Sequence, residues 1–388
     1  MAEYINPDYV PEPEKMNTKK GLEGAVIDTS SVSKVNAETN SLVYRGYPVQ
    51  DLAENCSFEE VAYLMYNGEL PTSSQLADFT KKERGYREIS TTLLNVIKAL
   101  PQKCHPMDSV RTAVSFQGCE DARIWDSSPA TDMDKAIQLL AKIPTMVAAD
   151  YRFKKGLDFI PPKAEYSIAE NFFHMCFGKV PAKEVVKAFD VSLILYAEHS
   201  FNASTFTARV VTSTQSDLYS ATVAGIGALK GPLHGGANEQ VMHMMIEIAD
   251  PTKAEQWMID ALAQKKKVMG FGHRVYKSGD SRVPTMKKYA QVMADVIGDQ
   301  KWMQMYNSLE KVMVDKKKIY PNLDFPAGPA YYMMGFEIDF FTPIFVMART
   351  TGWSAHIMEQ AANNRIIRPL SEYVGAAQRK VTPISERR

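Results

Sequence analysis

The sequence predicts a mainly α fold with a small N-terminal β element, on three observations. Apolar residues recur at spacings of three and four through much of the chain after Tyr47. Several stretches, VSLILYA among them, are apolar on nearly all sides, so other helices must cover them. Short β-branched or aromatic runs bounded by turn residues are confined to Gly21–Tyr47, in GAVIDTS and SLVYRGY.

The elements follow in order. The two short runs are the expected strands. Ser57-Phe-Glu-Glu60 is a capping box that opens the helical run FEEVAYLMYNG, and Gly68 stops it. Further helices are expected near Met107–Phe116, Ala136–Tyr151, Lys183–Ala197, Asp217–Leu229, Val241–Ile248 and Ile338–Arg349. Three glycine- and proline-rich strings, GIGALKGPLHGGAN, GFGHRVYKSGDSRVP and LDFPAGPA, read as loops between helices. Loops on a rigid scaffold are where functional groups gather.

Composition narrows the function classes. A chain of 388 residues suggests two domains or one large one. Lys+Arg and Asp+Glu both number 45, and this zero net charge argues against a nucleic-acid or anionic-membrane partner. No apolar run approaches the ~18 residues of a membrane helix. Cys56, Cys104, Cys119 and Cys176 are far apart and form no CxxC pair, so they read as reduced thiols rather than a disulfide framework or zinc site. The first twenty residues carry Glu3, Asp8, Glu12 and Glu14 and lack an apolar segment, which reads as a disordered or loosely packed arm and a cytoplasmic compartment.

The histidines sort by context. His174, His243 and His356 sit on apolar helices and read as core residues; His105, before a proline, reads as a turn or helix start. His234 and His273 lie inside glycine loops, where backbone or ligand can approach closely. His234 stands just before the expected helix ANEQVMHMMIEI, whose dipole disfavours an imidazolium. A neutral imidazole can still donate to a carbonyl oxygen. His273 is followed by Arg274, Lys277 and Arg282, a strip suited to carboxylates or phosphates. Asp324, between Leu323 and Phe325, is the acid–base candidate: burial among apolar neighbours raises a carboxylate's pKa. Its alternative is a helix-cap or turn Asp. Arg349, on an otherwise apolar helix, needs a carboxylate partner or a ligand.

Other chemistries find little footing. There is no HExxH, and His234 and His243 are too far apart for a helical metal-ligand pair, so no metal is expected. The glycine patterns follow no buried strand of a βαβ unit, and GxSxG is absent.

The strings GPLHGGANE, GFGHRVYKSGDSR, NLDFPAGPAYY and FTPIFVMARTTGWSAHIMEQ, in this order, resemble the citrate synthase family from about Gly21 to Arg379. NSLVYRGYPVQDLAENCSFEEVAYL and CHPMDSVRTAVS look like its short bacterial branch, which includes 2-methylcitrate synthases and dual-specificity enzymes. The resemblance implies a homodimer of two-domain helical subunits, with a small domain at 236–335 inserted in a large one at 1–235 and 336–388. It implies Asp324 as the base at the acyl α-carbon, His234 as hydrogen-bond donor to the thioester oxygen, and His273 as the group polarising the ketone of oxaloacetate. It further implies His199, Arg282 and Arg349 as oxaloacetate ligands, Arg368 reaching the partner's site, and Arg84 as a further substrate ligand. Val268, Met269, Gly270, Phe271 and Gly272 match a segment that contacts the CoA adenine, and Lys277 a phosphate-binding position. The partners implied are oxaloacetate and a short acyl-CoA, with no cofactor. HRV and DFPAGPAYYMMG resemble citrate or dual-specificity enzymes more than strictly propionyl-preferring ones, which more often carry HPV. The remaining alternatives are a strict 2-methylcitrate synthase and a catalytically idle dimeric binding homologue. A citrate-cleaving lyase would require additional modules.

Overall fold

The computed structural model describes residues 18–36, 38–276, 278–376 and 379–387, so most of the expected N-terminal arm lies outside the described residues. The chain divides into a main body, Ser30–Ile366, and a terminal unit formed by the segments up to Thr29 and from Ile367. In the terminal unit, Thr18 Oγ1 donates to Glu372 Oε2 at 2.8 Å.

The main body begins with an antiparallel sheet of β1 (Ser33–Asn36), β2 (Ser41–Tyr44) and β3 (Tyr47–Pro48), in that spatial order. Tyr44 pairs with Ser33 on one side and Tyr47 on the other. Arg45 and Gly46 join β2 to β3 at φ 49° and 94°. A two-residue hairpin loop with both φ positive matches the right-handed strand twist. SLVY is thus a strand as expected, whereas GAVIDTS is not. Val26 is 92% exposed, and β-propensity alone does not make a strand there.

Sixteen α-helices follow among the described residues: α1 (Val49–Asn55), α2 (Phe58–Asn67), α3 (Ser73–Gly85), α4 (Thr91–Ala99), α5 (Pro106–Glu120), α6 (Pro129–Lys154), α7 (Ile168–Phe177), α8 (Lys183–Tyr196), α9 (Ala203–Ser213), α10 (Leu218–Leu229), α11 (Ala237–Ile248), α12 (Ala254–Ala263), α13 (Val283–Ile297), α14 (Lys301–Lys317), α15 (Asp324–Met333) and α16 (Phe341–Ala362). A 3-10 turn, Ile338–Phe340, leads into α16. The capping box is present: Ser57 Oγ accepts from Glu60 N, Glu60 answers at Ser57 N, and Gly68 ends α2 in the left-handed region.

The all-round apolar helices form the core, as the sequence requires. Every residue of VSLILY in α8 is buried, and α16 is buried along nearly its whole length. Phe172, Phe173, Phe177 and Phe189 pack around Phe336 with centroids 5.2–5.6 Å apart. Such aromatic contacts add to area burial through ring geometry.

Two expected loops are partly helical. GIGAL closes α10, and DFPAGPAYYM is α15 itself. Pro326 falls in the first turn, where a helix needs no intrahelical N–H. Gly328 lets α15 approach α11: a Cβ there would stand 2.9 Å from Asn238 O.

The small sheet holds the end of α8. Tyr44 is fully buried, and its hydroxyl lies 2.9 Å from Glu198 O and 3.2 Å from Glu198 N. Ser33 Oγ donates to Glu198 Oε1 at 3.0 Å and accepts from Ser200 N at 2.9 Å. On the other side, Gly352 N of α16 donates to Ala197 O at 3.1 Å. A side chain at 352 would run into the Glu198 carboxylate.

Candidate active site

Four segments converge beyond the end of α8: residues 196–199, the 230–236 turn before α11, the 268–282 loop before α13, and the start of α15. Arg349 of α16 forms the wall behind them.

The 268–282 loop is sewn to the approach of α15. Gly272 N donates to Tyr320 O at 2.8 Å, Asn322 N to Gly270 O at 2.9 Å, and Asn322 Nδ2 to Gly272 O at 3.0 Å. Gly270 and Gly272 have φ of 83° and 81°, which glycine alone adopts without cost. At Gly270 a Cβ would also strike Val241 and Phe325, so the loop rests directly on α11 and α15. These bonds place His273 and Asp324 on one rigid edge.

Asp324 opens α15, with Leu323 before it. Its Oδ1 accepts from Tyr196 O–H at 2.7 Å. Burial pushes the carboxyl up to about 6, against the pull of the Tyr196 bond and of Arg282 and Arg349. Asp324 is therefore both a helix start and a buried carboxyl of raised pKa.

The two loop histidines are neutral and present opposite nitrogens. His234 Nε2 accepts from Ser204 N at 3.3 Å and lies 2.8 Å from Ser204 Oγ. The backbone N–H can only donate, so the His234 proton resides on Nδ1. Burial, then Arg349, pushes its pKa down to about 3. Desolvation thus dominates where the sequence suggested the α11 dipole. His273 Nδ1 accepts from Val275 N at 3.0 Å and Tyr276 N at 3.1 Å, which leaves the proton on Nε2. Burial and Arg282 hold its pKa near about 4.

His199 stands beside His273, with ring centroids 4.9 Å apart. Burial and the nearby Arg282 hold it well below the usual histidine range, and its Nε2 is buried without a hydrogen-bond partner. Arg282 is clamped by Asp280: Nε to Oδ1 at 3.0 Å and Nη2 to Oδ2 at 2.7 Å. Asp280 Oδ2 also accepts from Leu323 N at 3.2 Å, tying Arg282 to the start of α15. Arg349 donates from Nε to Tyr196 O at 2.8 Å and stacks on Phe345. Its Nη1 is buried without a partner, and burial lowers its pKa to about 10. A buried unpaired donor is costly, so this arrangement is poised for an anion. Two buried guanidiniums also make the cluster a poor seat for a cation.

The other expected residues fall elsewhere. Arg84, on α3, lines a separate cavity of about 700 Å³ with Ser73, Thr80 and Lys81. Val268, Met269 and Phe271 are half-buried beside Gly270 and Gly272 in the loop, and Lys277 lies outside the described residues. Arg368 belongs to the terminal unit. Among the remaining histidines, His356 is a satisfied core residue, bonded to Glu198 Oε1 at 2.9 Å. His243, expected in the core, is exposed on the outer face of α11. Sequence reasoning missed Tyr196, Ser204 and Asp280. A polar tip ending an apolar helix, and the short spacing Asp280-x-Arg282, are the signals that could have found them.

The pattern that describes the C-terminal domain of citrate synthase matches residues 21–370. This chain belongs to the citrate synthase family. It is 58% identical over 370 residues to a citrate synthase of Mycolicibacterium smegmatis, covering 95% of this chain and 98% of that one. It is 57% identical over 366 residues to a 2-methylcitrate synthase of Mycobacterium tuberculosis, covering 94% and 93%. Among solved structures it is similar to the citrate synthase of Thermoplasma acidophilum in a ternary complex with carboxymethyl coenzyme A and oxaloacetate. That likeness has a TM-score of 0.91 at 34% identity, covering 97% of this chain and all of the other. No described helix is long and apolar enough to cross a membrane.

Proposed function

We propose that this member of the citrate synthase family condenses acetyl-CoA, propionyl-CoA or both with oxaloacetate and water, giving citrate or 2-methylcitrate and free CoA. The observation that carries the mechanism is a pair of neutral histidines with opposite tautomers, in the same cluster of segments as a carboxyl raised to about 6. At neutral pH Asp324 is a carboxylate of raised basicity. It takes the proton from the acyl α-carbon. Charge then builds on the thioester oxygen, where His234 Nδ1–H donates; a preorganised donor of this kind contributes roughly 2.7–4 kcal/mol. The enol carbon attacks the ketone carbon of oxaloacetate. His273 Nε2–H polarises that ketone, and the new alkoxide is protonated on the side His273 faces. Arg282, Arg349 and His199 hold the two carboxylates, with the free Arg349 Nη1 and His199 Nε2 supplying contacts absent from the resting site. Water then cleaves the thioester, forming the third carboxylate and the CoA thiol. This chemistry calls for no metal or redox cofactor.

The wider reading is part of the same proposal. Segment 236–335 moves as a small domain against 1–235 and 336–388, and closure excludes water until condensation is complete. Val268–Gly272 and Lys277 receive the CoA nucleotide. The protein is a cytoplasmic homodimer in which Arg368 enters the partner's site, while Arg84 serves a peripheral substrate contact. One methylene in a pocket is worth only ~1–3 kcal/mol, which makes dual acyl use easy.

The direct test is oxaloacetate-dependent release of CoA thiol, with acetyl-CoA and propionyl-CoA side by side. Release with both at comparable kcat/KM is expected; none from folded protein would overturn the reading. For Arg368, mixed dimers of Asp324→Ala and Arg368→Ala subunits should regain activity that neither parent has.

A further inference from the structure

A second cluster lies away from the arginine-lined cleft, where α5, α11 and the Ile338–Phe340 turn meet. His105 caps α5, Glu239 lies in the first turn of α11, and Asp339 sits in the turn before α16. One ligand atom from each of the three falls within 4.8 Å of the other two. Among the described residues, no other trio of His, Cys, Asp or Glu meets that condition.

We propose that His105, Glu239 and Asp339 form a binding site for a divalent cation of the zinc class. An imidazole nitrogen and two carboxylate oxygens are donors that zinc and its late first-row neighbours accept. Three protein ligands leave coordination positions for water. His105 Nε2 and Glu239 Oε2 stand 3.2 Å apart. A tetrahedral ion with 2.0–2.1 Å bonds separates its ligand atoms by about 3.4 Å, so this pair is already set. Asp339 is exposed and free to close the remaining gap.

Glu239 is 7% exposed and oriented from behind. Its Oε1 accepts from Thr342 N at 3.3 Å and from the Thr342 hydroxyl, which leaves Oε2 facing the cluster. Outer partners that fix a ligating carboxylate in this way are a regular part of metal sites. The nearby cation, Lys230, is engaged by both oxygens of Asp108. Two carboxylates facing one imidazole therefore leave excess negative charge for an ion to neutralise.

Binding needs one proton rearrangement. His105 Nδ1 now accepts from Met107 N at 3.2 Å, so the proton is on Nε2. The ion takes Nε2 and the proton moves to Nδ1, releasing one long helix-cap bond. The Glu239 bond also holds the imidazole proton more tightly than usual, so acid competes with the ion.

The location gives occupancy a consequence. Glu239 lies just inside segment 236–335, and His105 and Asp339 lie outside it. Thr342 Oγ1 also lies 3.5 Å from Gly235 O, next to His234. Resting on the proposed domain division, an ion here ties the two domains together near one crossing of the chain.

The test is calorimetric titration of zinc chloride into the chelator-treated, tag-free full chain at pH 7.5, without substrates, together with a thermal melt. One zinc per chain and a raised Tm are expected. His105→Ala and Asp339→Asn should each weaken binding by at least about tenfold and abolish the Tm rise. The exposed Asp339 makes its variant safe for folding. Absence of saturable binding, or wild-type binding by Asp339→Asn and His105→Ala, would overturn the site; the latter would direct the ion to other residues. Because no substrate is present, failure here leaves the condensation reading untouched.

Discussion

His234 and His273 present equivalent donors but are held in different ways. His234 is braced from outside its loop, by Ser204 at the start of α9. His273 is braced from within its loop, by the N–H groups of Val275 and Tyr276. The first brace is a product of tertiary packing; the second travels with the loop. If segment 236–335 swings as proposed, His273 carries its tautomer with it, while His234 stays with α9. The two donors can then part and meet again without either changing protonation state.

The largest expected effect leaves both braces in place. Asp324→Asn should lower kcat/KM by about 10²–10⁴-fold in the thiol-release assay. Activity within tenfold of wild type would remove Asp324 as the base. Next, His234→Gln and His273→Gln should each cost about 10²–10³-fold in kcat. The comparison sharpens in binding: His273→Gln should weaken oxaloacetate in calorimetry, whereas His234→Gln should not. A reversal would exchange their roles.

The pH profile tests the neutrality of both rings. Asp324, raised to about 6 by burial, must be ionised to act, so kcat/KM should fall as pH drops through about 6. With the histidines near about 3 and about 4, neither adds a limb between about pH 5 and 8. A limb in that window that disappears in a histidine variant would refute the neutral state of that ring. Stability follows the same group. Because folding raises the Asp324 pKa, its contribution is complete below the unfolded value of about 3.9 and lost as pH rises through about 6. Asp324→Asn should therefore gain Tm relative to wild type between about pH 4 and 7.

The smallest effects address the braces themselves. Gly272→Ala forces a side chain to φ 81° and should cost about 1–2 kcal/mol, with a raised KM for oxaloacetate. Ser204→Ala removes a hydroxyl but keeps the backbone N–H, so kcat should fall only about 2–10-fold. A much larger loss would mean that the hydroxyl, not the N–H, sets the His234 tautomer.

What the sequence made legible follows from locality. The Ser57–Glu60 cap, the buried run of α8 and the glycines flanking His234 and His273 are encoded within a few residues. GAVIDTS misled because a strand needs a partner as well as β-propensity, and Val26 is exposed rather than packed. α15 was hidden because its two prolines read as breakers: Pro326 falls in the first turn, where a helix tolerates it, but Pro329 lies inside the helix, which tertiary packing sustains against the proline's local preference. His243 misled because an apolar helix still keeps one outer face. Tyr196, Ser204 and Asp280 gain their roles only across the fold: Tyr196 reaches Asp324 over 128 positions, and Asp280 reaches Leu323 over 43. No spacing rule records such pairings.

At Gly352 there is no room for a methyl group between α16 and the carboxylate of Glu198. Arg349 rides on the same helix one turn earlier, and Glu198 adjoins His199. The separation of Arg349 and His199 is thus set by backbone contact rather than by adjustable packing. Such a joint closes off the ordinary route of gradual change: a Cβ at 352 would stand 2.5 Å from the backbone oxygen of Ala197 besides striking the Glu198 carboxylate, so any residue but glycine there demands that the end of α8 itself move. Redesign of the pocket for a longer keto acid would therefore have to enter through the 268–282 loop, and the wall carrying Arg349 would serve as its fixed datum.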